Sequence, residues 1–240
     1  MNTLDTSTVA EIVTENIKAA HIFKKHGIDF CCGGGITVEK ACDKNNVDFS
    51  VLIDELKELE NAKTNFNDFN NWKLDFLIDF IENTHHKYVE QNIPLLKQYG
   101  NKVAKVHGHH YTELHEIKEL IHEVSDELTL HMKKEELMLF PFIKKMVNAN
   151  KLGTTVQTPP FRTVDNPIQM MEEEHDNAGS VFKRISELTN NYQTPDGACN
   201  TFKALYSKLE EFENDLHQHV HLENNILFPK AKQMENTFQK

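Results

Sequence analysis

HMKKEELMLFP, residues 131–141, and HVHLENNILFP, residues 219–229, are two copies of one motif, H-x-x-x-E-x-x-[M/I]-L-F-P, and they begin 88 residues apart. The segments upstream of them are also related, because ENTH (82–85) and EEEH (172–175) lie 90 residues apart. Apolar residues recur at intervals of three and four around all four sequences, which is the helical period. The repeat predicts a bundle built from a duplicated pair of helices.

Four long helical patterns lie downstream of residue 71, and we name them helices A to D: about 72–99, 111–148, 165–192 and 198–234. The polar or proline-containing segments between them are short relative to the helices, which predicts an antiparallel bundle. Shorter helical patterns occupy residues 7–26, 37–45 and 49–61. The predicted fold is all-α, with a small N-terminal helical domain (1–62), a linker (63–71) and an antiparallel four-helix bundle (72–240).

The composition argues against several classes of protein. A net charge of −11, from 37 acidic and 26 basic residues, opposes binding to nucleic acid or to anionic membrane surfaces. No stretch approaches the roughly 20 apolar residues of a membrane span, and the first residues lack the basic and apolar regions of a secretory signal. We therefore expect a cytoplasmic protein without membrane or nucleic-acid partners, whose four cysteines stay reduced.

Polar residues interrupt the apolar stripes of the four long helices. On helix B, His131 and Glu135 continue the stripe that contains Leu128. On helix D, the equivalent residues are His219 and Glu223. One histidine interrupts the stripe on each of helices A and C. The six candidate metal ligands are His85, His131, Glu135, His175, His219 and Glu223.

A metal cluster would explain why these residues share the core of the bundle. A buried carboxylate without a partner is costly or becomes neutral, and a single histidine on an apolar stripe is usually an ordinary core residue. Six such residues in register across a repeated motif favour a common ligand instead. Four imidazoles and two carboxylates suit two non-haem iron ions. We expect a pair of iron ions bridged by an oxo group and by the carboxylates of Glu135 and Glu223.

Some assignments stay open at the level of the sequence. His86 competes with His85 as the helix A ligand, although the spacing from Ile81 favours His85. Glu82 and Glu172 offer the E-x-x-H spacing of another class of di-iron bundle, but they lie on the flanks of the stripes. Nearby acids are expected to surround the ligands and to offset the charge of the cluster. The acids expected to do so are Glu127 and Glu174.

A second motif, Cys31-Cys32 followed by three glycines, lies in the predicted N-terminal domain. Adjacent cysteines rarely form a disulfide, because the resulting ring is strained. The flexible turn predicts two accessible thiols, and the helix that opens near Thr37 could lower the pKa of one of them. We expect redox chemistry or transient iron transfer at Cys31 and Cys32, with two ordinary loop thiols as the alternative.

Four motifs together resemble those of the repair-of-iron-centres family of di-iron proteins. They are DFCCGGG (29–35), MEEEHDNAG (171–179) and the two copies of H-x-x-x-E-x-x-[M/I]-L-F-P. The resemblance implies a haemerythrin-like bundle joined to a small N-terminal domain that carries the cysteine pair, with metal ligands at the six positions named above. It also implies repair of iron–sulfur clusters damaged by nitrosative or oxidative stress, through donation of iron, with damaged iron–sulfur proteins as clients.

Two other functions stay open. A ferrous pair could reduce nitric oxide to nitrous oxide, which would make the protein an enzyme. The pair could instead bind or sense dioxygen reversibly, as simple haemerythrins do, but an appended cysteine domain fits poorly with a plain oxygen carrier. The sequence also leaves open whether two chains form a homodimer.

Overall fold

The computed structural model of the chain describes residues 6–61 and 68–238, and these residues form an all-α structure. The single helix predicted over residues 7–26 is two helices, because the backbone at Asn16 is extended (φ −144°, ψ 97°). Gly27 follows the second helix with φ +69°, as glycine commonly does after a helix C-terminus. The N-terminal helices are α1 (Val9–Glu15), α2 (Ala19–Lys25), α3 (Val38–Asn45) and α4 (Phe49–Asn61).

Four long helices form the predicted antiparallel bundle, and three of them contain a π-helical turn. Helix A comprises α5 (Leu74–Ile81), a π turn (Glu82–His86) and α6 (Lys87–His107). Helix B comprises α7 (Glu113–Lys134), a π turn (Glu135–Leu139) and α8 (Phe140–Leu152). Helix C is α9 (Asp165–Leu188), and helix D comprises α10 (Asn200–Leu222), a π turn (Glu223–Leu227) and α11 (Phe228–Phe238). Helices A and C each pack against both B and D.

Helix A continues past the break that the sequence predicted around Gly100. This glycine is buried inside α6, and a Cβ atom there would come within 3.1 Å of Cδ1 of Ile121 on helix B. The missing side chain lets helices A and B approach each other closely. Gly100 therefore serves helix packing rather than helix termination.

Apolar side chains form two buried clusters on either side of a polar layer. One cluster unites the N-terminal helices with the half of the bundle that contains Val89, Leu128 and Phe212. The other fills the opposite half, around Ile78 and Phe140. On each long helix the candidate ligands fall between the residues of the two clusters. Apolar packing therefore covers the polar layer on both sides along the bundle axis.

The N-terminal helices dock on the bundle. Nζ of Lys24 lies 2.6 Å from Oε2 of Glu213, a buried residue of helix D. The ring of Phe30 meets the rings of His217 and His221 edge-on, at centroid distances of 5.8 and 6.1 Å. The turn that carries the cysteines therefore lies against helix D.

The linker predicted at residues 63–71 lies mostly outside the described residues. Its last part, Phe69–Asn71, forms a 3-10 turn in which Phe69 is buried against Trp72 and Phe80. The division of the chain at these boundaries stays a prediction. Within the described ranges, no helix combines the length and the apolar character that a membrane crossing requires.

Candidate metal centre

The three π turns lie at candidate ligands. A π turn holds one residue more than an α-helical turn, so the residues after it shift around the helix surface. On helix B this shift buries Leu139 and leaves Met138 47% exposed, although an uninterrupted α-helical stripe would place Met138 in the core. The turns that start at Glu135 and Glu223 occupy the same position in the two motif copies. The repeated sequence thus forms a repeated backbone distortion at the site.

His86, rather than His85, faces the centre of the bundle. Nε2 of His86 lies 3.2 Å from Nε2 of His219 and 3.4 Å from Oε2 of Glu135. His85 is also buried, but its Nδ1 lies 2.9 Å from Oδ1 of Asp215, and it stands outside the two clusters of potential ligand atoms. The expectation that His85 takes the central position on helix A is corrected, because the π turn inserts one residue into the α-helical spacing.

The other five predicted ligands join His86 in two groups that share both glutamates. Within each group, the four potential ligand atoms all lie within 4.8 Å of one another. The six side chains are buried, and those of Glu135 and Glu223 are completely so. The first group is His86, His219, Glu135 and Glu223, and the second is His131, His175, Glu135 and Glu223.

The distances within the groups fit bound cations. Nε2 of His131 lies 3.0 Å from Nε2 of His175, which is in turn 3.2 Å from Oε2 of Glu223. Two donors that bind one ion at about 2.1 Å and at a right angle are about 3 Å apart. Oε1 of Glu135 is buried without a hydrogen-bond partner, and Oε2 of Glu135 and Oε2 of Glu223 face imidazole nitrogens at 3.2–3.4 Å. Buried acceptors of this kind require an explanation, and a cation provides one.

Opposite charges at the site shift the ionisation of its members. Burial disfavours the charged form of His86, but its contacts with Glu135 and Glu223 prevail and raise its pKa to about 11. The pKa of His131 is raised to about 10, because the attraction of Glu135 outweighs burial there too. Despite burial, the neighbouring imidazoles lower the pKa of Glu135, and they hold the pKa of Glu223 well below its usual value. In the absence of metal, protons on two imidazoles thus balance the two carboxylates.

In three of the four inward-facing imidazoles, Nδ1 forms a hydrogen bond with a side chain on the side away from the donor groups. The partner of His86 is Oε1 of Glu136, at 2.8 Å, and that of His175 is Oδ1 of Asn224, also at 2.8 Å. Partners of this kind fix the orientation of a metal-binding histidine and the position of its ring proton. The sequence reasoning missed both, although each directly follows a glutamate of the repeated motif. Their equivalent positions in the two copies were the available signal.

Glu174 lies close to a candidate ligand. Its Oε2 is 2.9 Å from Nδ1 of His131, and its other oxygen pairs with Lys134. The contact with His131 is the main cause that lowers the pKa of Glu174 to about 2. Glu127, by contrast, is exposed on α7.

The rival carboxylates of the E-x-x-H pattern stand apart from the two donor groups. Oε2 of Glu82 lies 3.0 Å from Nζ of Lys144. Oε1 of Glu172 lies 3.7 Å from Nζ of Lys232. Both acids therefore pair with lysines rather than with the donor groups.

The cysteine turn is organised by Asp29. Its Oδ1 accepts hydrogen bonds from the backbone N–H groups of Cys31 and Cys32, both at 3.0 Å, and its Oδ2 accepts one from Gly33 at 3.0 Å. Cys31 is buried, and its contact with Cys32, together with burial and the charge of Asp29, raises its pKa well above the usual value. The expectation of two accessible thiols is therefore wrong for Cys31, whereas Cys32 stays partly exposed.

A helical bundle with buried histidines and glutamates at its centre is the architecture of haemerythrin-like cation-binding proteins. Residues 77–231 match the haemerythrin HHE cation binding domain, and residues 5–60 match a domain of unknown function, DUF542. Similar proteins include the iron–sulfur cluster repair protein YtfE of Yersinia pseudotuberculosis serotype IB (strain PB1/+) and that of Yersinia pestis (strain Pestoides F). Each is 37% identical over 214 residues, which cover 89% of this chain and 91% of the relative. This chain belongs to the same family, and the resemblance inferred from its motifs is confirmed.

Proposed function

We propose that this protein holds two iron ions at the centre of its bundle and repairs damaged iron–sulfur clusters by donating iron. His86 and His219 would hold one ion, and His131 and His175 would hold the other. Glu135 and Glu223 belong to both donor groups and would serve both ions. The observation that carries the proposal is that both donor groups contain the same two glutamates.

The chemistry of the donors favours iron. Carboxylate oxygens are hard donors that suit ferrous and ferric ions, and imidazole binds iron in both states. Each group supplies four protein ligand atoms, whereas six-coordinate iron takes about two more. Open positions of this kind let a small molecule or an incoming ligand reach the ion. When bound, the iron pair supplies ligand exchange and one-electron chemistry.

A solvent-facing cavity reaches the site at His86. Its volume is about 530 Å³, and it lies between helices A and B. Acidic side chains (Glu82, Glu90 and Glu136) and two lysines (Lys87 and Lys133) line it. Iron that is to be donated must pass between the buried site and solvent, and this cavity supports such a route.

The clients in this proposal are damaged iron–sulfur proteins. The relatives that match 89% of the chain are named for iron–sulfur cluster repair. The partly exposed thiol of Cys32 lies in the turn docked against helix D, where it could bind iron that the empty centre takes up again. Thiolate sulfur is also the usual ligand of iron–sulfur clusters.

A repair assay tests this function. The iron-loaded protein is mixed anaerobically with an iron–sulfur enzyme that nitric oxide has inactivated, and recovery of that enzyme's activity is followed. We expect faster recovery than with an equal concentration of free ferrous iron. The variant Glu223→Gln, which weakens both donor groups at once, should restore no more activity than free iron. Recovery by the native protein that does not exceed that of free iron would reject the proposal.

Nitric oxide reduction is the second candidate, favoured by the same cavity beside His86 and by the open positions on each ion. A diatomic gas would enter more easily than a hydrated metal ion leaves. Repeated formation of nitrous oxide in the presence of a reductant, at many turnovers per protein, would make reduction the main function. Stoichiometric trapping of nitric oxide would count against it.

A further inference from the structure

Asn224, the second residue of the π turn in helix D, contacts both the candidate metal centre and the cysteine turn. Its Oδ1 lies 2.8 Å from Nδ1 of His175. Its Nδ2 lies 3.5 Å from the carbonyl oxygen of Cys31 and 4.0 Å from Sγ of Cys32. One amide group therefore stands between a candidate ligand and the thiol pair.

The next residue, Asn225, holds the same turn without touching either donor group. Its Nδ2 lies 3.3 Å from the carbonyl oxygens of both Phe30 and Cys31. Its remaining partner is Nδ1 of His221, at 2.9 Å, and His221 belongs to neither donor group. Both asparagines thus contact the cysteine turn, but they differ in their second contact. Only Asn224 links the turn to His175.

We propose that Asn224 is a positioning residue that couples metal occupancy of the bundle to the cysteine turn. When Nε2 of His175 binds a cation, the ring proton must lie on Nδ1. This N–H then donates to Oδ1 of Asn224, so the amide presents Nδ2 to the turn and donates to the Cys31 carbonyl. The inference rests on the proposed metal centre.

Without a cation, this orientation is no longer enforced. Nε2 of His175 can keep its proton, and Nδ1 can then accept a hydrogen bond from Nδ2 of Asn224. An amide turned over in this way would point Oδ1 at the carbonyl oxygen of Cys31, and two acceptors repel each other. Metal binding therefore selects the amide orientation that holds the turn, and metal loss releases it.

Cys32 is the thiol that should report this coupling. Cys31 is buried, with its Sγ 3.3 Å from Oδ1 of Asp29. Cys32 is partly exposed and has Sγ within reach of the Asn224 amide. A tightened turn covers Cys32 in the loaded protein, and a loosened turn exposes it once the iron has left. The thiol thus becomes available at the stage when the centre needs iron again.

The test is the rate at which iodoacetamide alkylates Cys32 in the full chain, with the site of labelling located by tandem mass spectrometry. Metal-free protein is compared with protein loaded anaerobically with ferrous iron and freed of excess metal. One neutral hydrogen bond predicts that loading slows alkylation on the order of threefold to fivefold. Iron per chain is measured on the same samples.

Two variants separate the coupling from simple docking. Asn224→Asp keeps an oxygen for His175 and removes the donor to the turn, so it should retain iron while the ratio of the two rates falls to about one. Asn225→Ala should speed alkylation in both states and keep the native ratio. The added charge in Asn224→Asp changes the absolute rates, but it leaves the comparison of ratios valid.

Each outcome decides a separate question. A native chain that retains no iron would reject the metal centre and, with it, the coupling. A native chain that binds iron but shows equal alkylation rates in the two states would reject the coupling alone. So would an Asn224→Asp variant that keeps the native ratio. If Asn225→Ala also brought the ratio of metal-free to iron-loaded alkylation rates to about one, docking of the turn, and not Asn224, would control the reactivity of Cys32.

Discussion

Nε2 of His86 on helix A and Nε2 of His219 on helix D lie 3.2 Å apart in the core of the bundle. Two imidazole nitrogens at this distance can share one proton or one cation, and the nearby glutamates favour positive charge between them. The second pair, His131 and His175, repeats the arrangement at 3.0 Å. The duplication in the sequence thus reappears as two matched histidine pairs around two shared carboxylates.

Replacing His85 and His86 by alanine, one at a time, tests which of them binds metal. We expect His86→Ala to lower iron content from about two ions per chain toward one, because it removes a ligand of one donor group. His85→Ala should keep both ions, since its ring bonds to Asp215 instead. Iron is counted after anaerobic loading, with circular dichroism as the check that each variant is folded. Equal iron losses in the two variants would contradict the assignment of His86.

Metal binding should release protons. The pKa values of His86 and His131 are raised to about 11 and about 10, so both rings are positively charged imidazolium groups at pH 7 in the metal-free chain. A cation can bind only after displacing them, and its affinity should therefore rise with pH across the neutral range, by about a hundredfold per pH unit for two protons. Calorimetry with Co²⁺ in buffers of different ionisation enthalpy measures the release. Binding without proton release would show that these imidazoles are neutral before loading.

The same pKa shifts predict how the metal-free protein responds to pH. Raised histidine pKa values stabilise the fold below about pH 6.5, and this stabilisation is lost as pH rises toward the folded-state values. Lowered glutamate pKa values stabilise it above about pH 4.5, and that contribution is lost on acidification. Burial lowers the pKa values of His219 and His221, so these two residues cost stability as pH falls below about 6.5. The combined shifts therefore place the maximum stability near pH 6.5. Thermal unfolding of metal-free protein across pH would reveal the maximum.

The docking of the N-terminal helices should depend on Lys24. Lys24→Ala leaves the buried carboxylate of Glu213 without its cation, which should lower the free energy of unfolding by about 1–3 kcal/mol. Lys25→Ala is the matched control, because its partner Glu55 lies in a more exposed pair. Its cost should stay below about 1 kcal/mol. Urea unfolding that gives equal costs for both variants would argue against a buried contact at Lys24.

Adjacent glycines of the cysteine turn should differ in their tolerance of a side chain. A Cβ atom on Gly34 would lie 2.4 Å from the carbonyl oxygen of Phe30 and 3.0 Å from Cβ of Ala10. Gly34→Ala should therefore destabilise the protein by about 1–3 kcal/mol. Nothing lies within 4 Å of the same atom on Gly35, so Gly35→Ala should change stability by less than about 1 kcal/mol. Chemical unfolding of the two variants makes the comparison, and a tolerated Gly34→Ala would contradict the packing of the turn on α1.

The bundle and five of the candidate ligands could be predicted from the sequence, because apolar periodicity shows which face of a helix is buried. The choice between His85 and His86 could not be predicted from the sequence. It depends on a π turn, and a single inserted residue leaves a pattern of threes and fours almost unchanged. The burial of Cys31 and the contacts of Asn224 were also beyond reach, because they arise where the N-terminal turn meets helix D. Contacts between segments far apart in the chain have no local periodicity.

Iron counting combined with Mössbauer spectroscopy on protein loaded anaerobically with iron-57 addresses the shared-glutamate centre itself. We expect about two ions per chain and the signature of a coupled pair, and we expect His219→Ala to change the spectrum, because this ring belongs to one of the two donor groups. Fewer than two ions per native chain, or a spectrum that survives the loss of His219, would contradict a pair of metal ions held across Glu135 and Glu223.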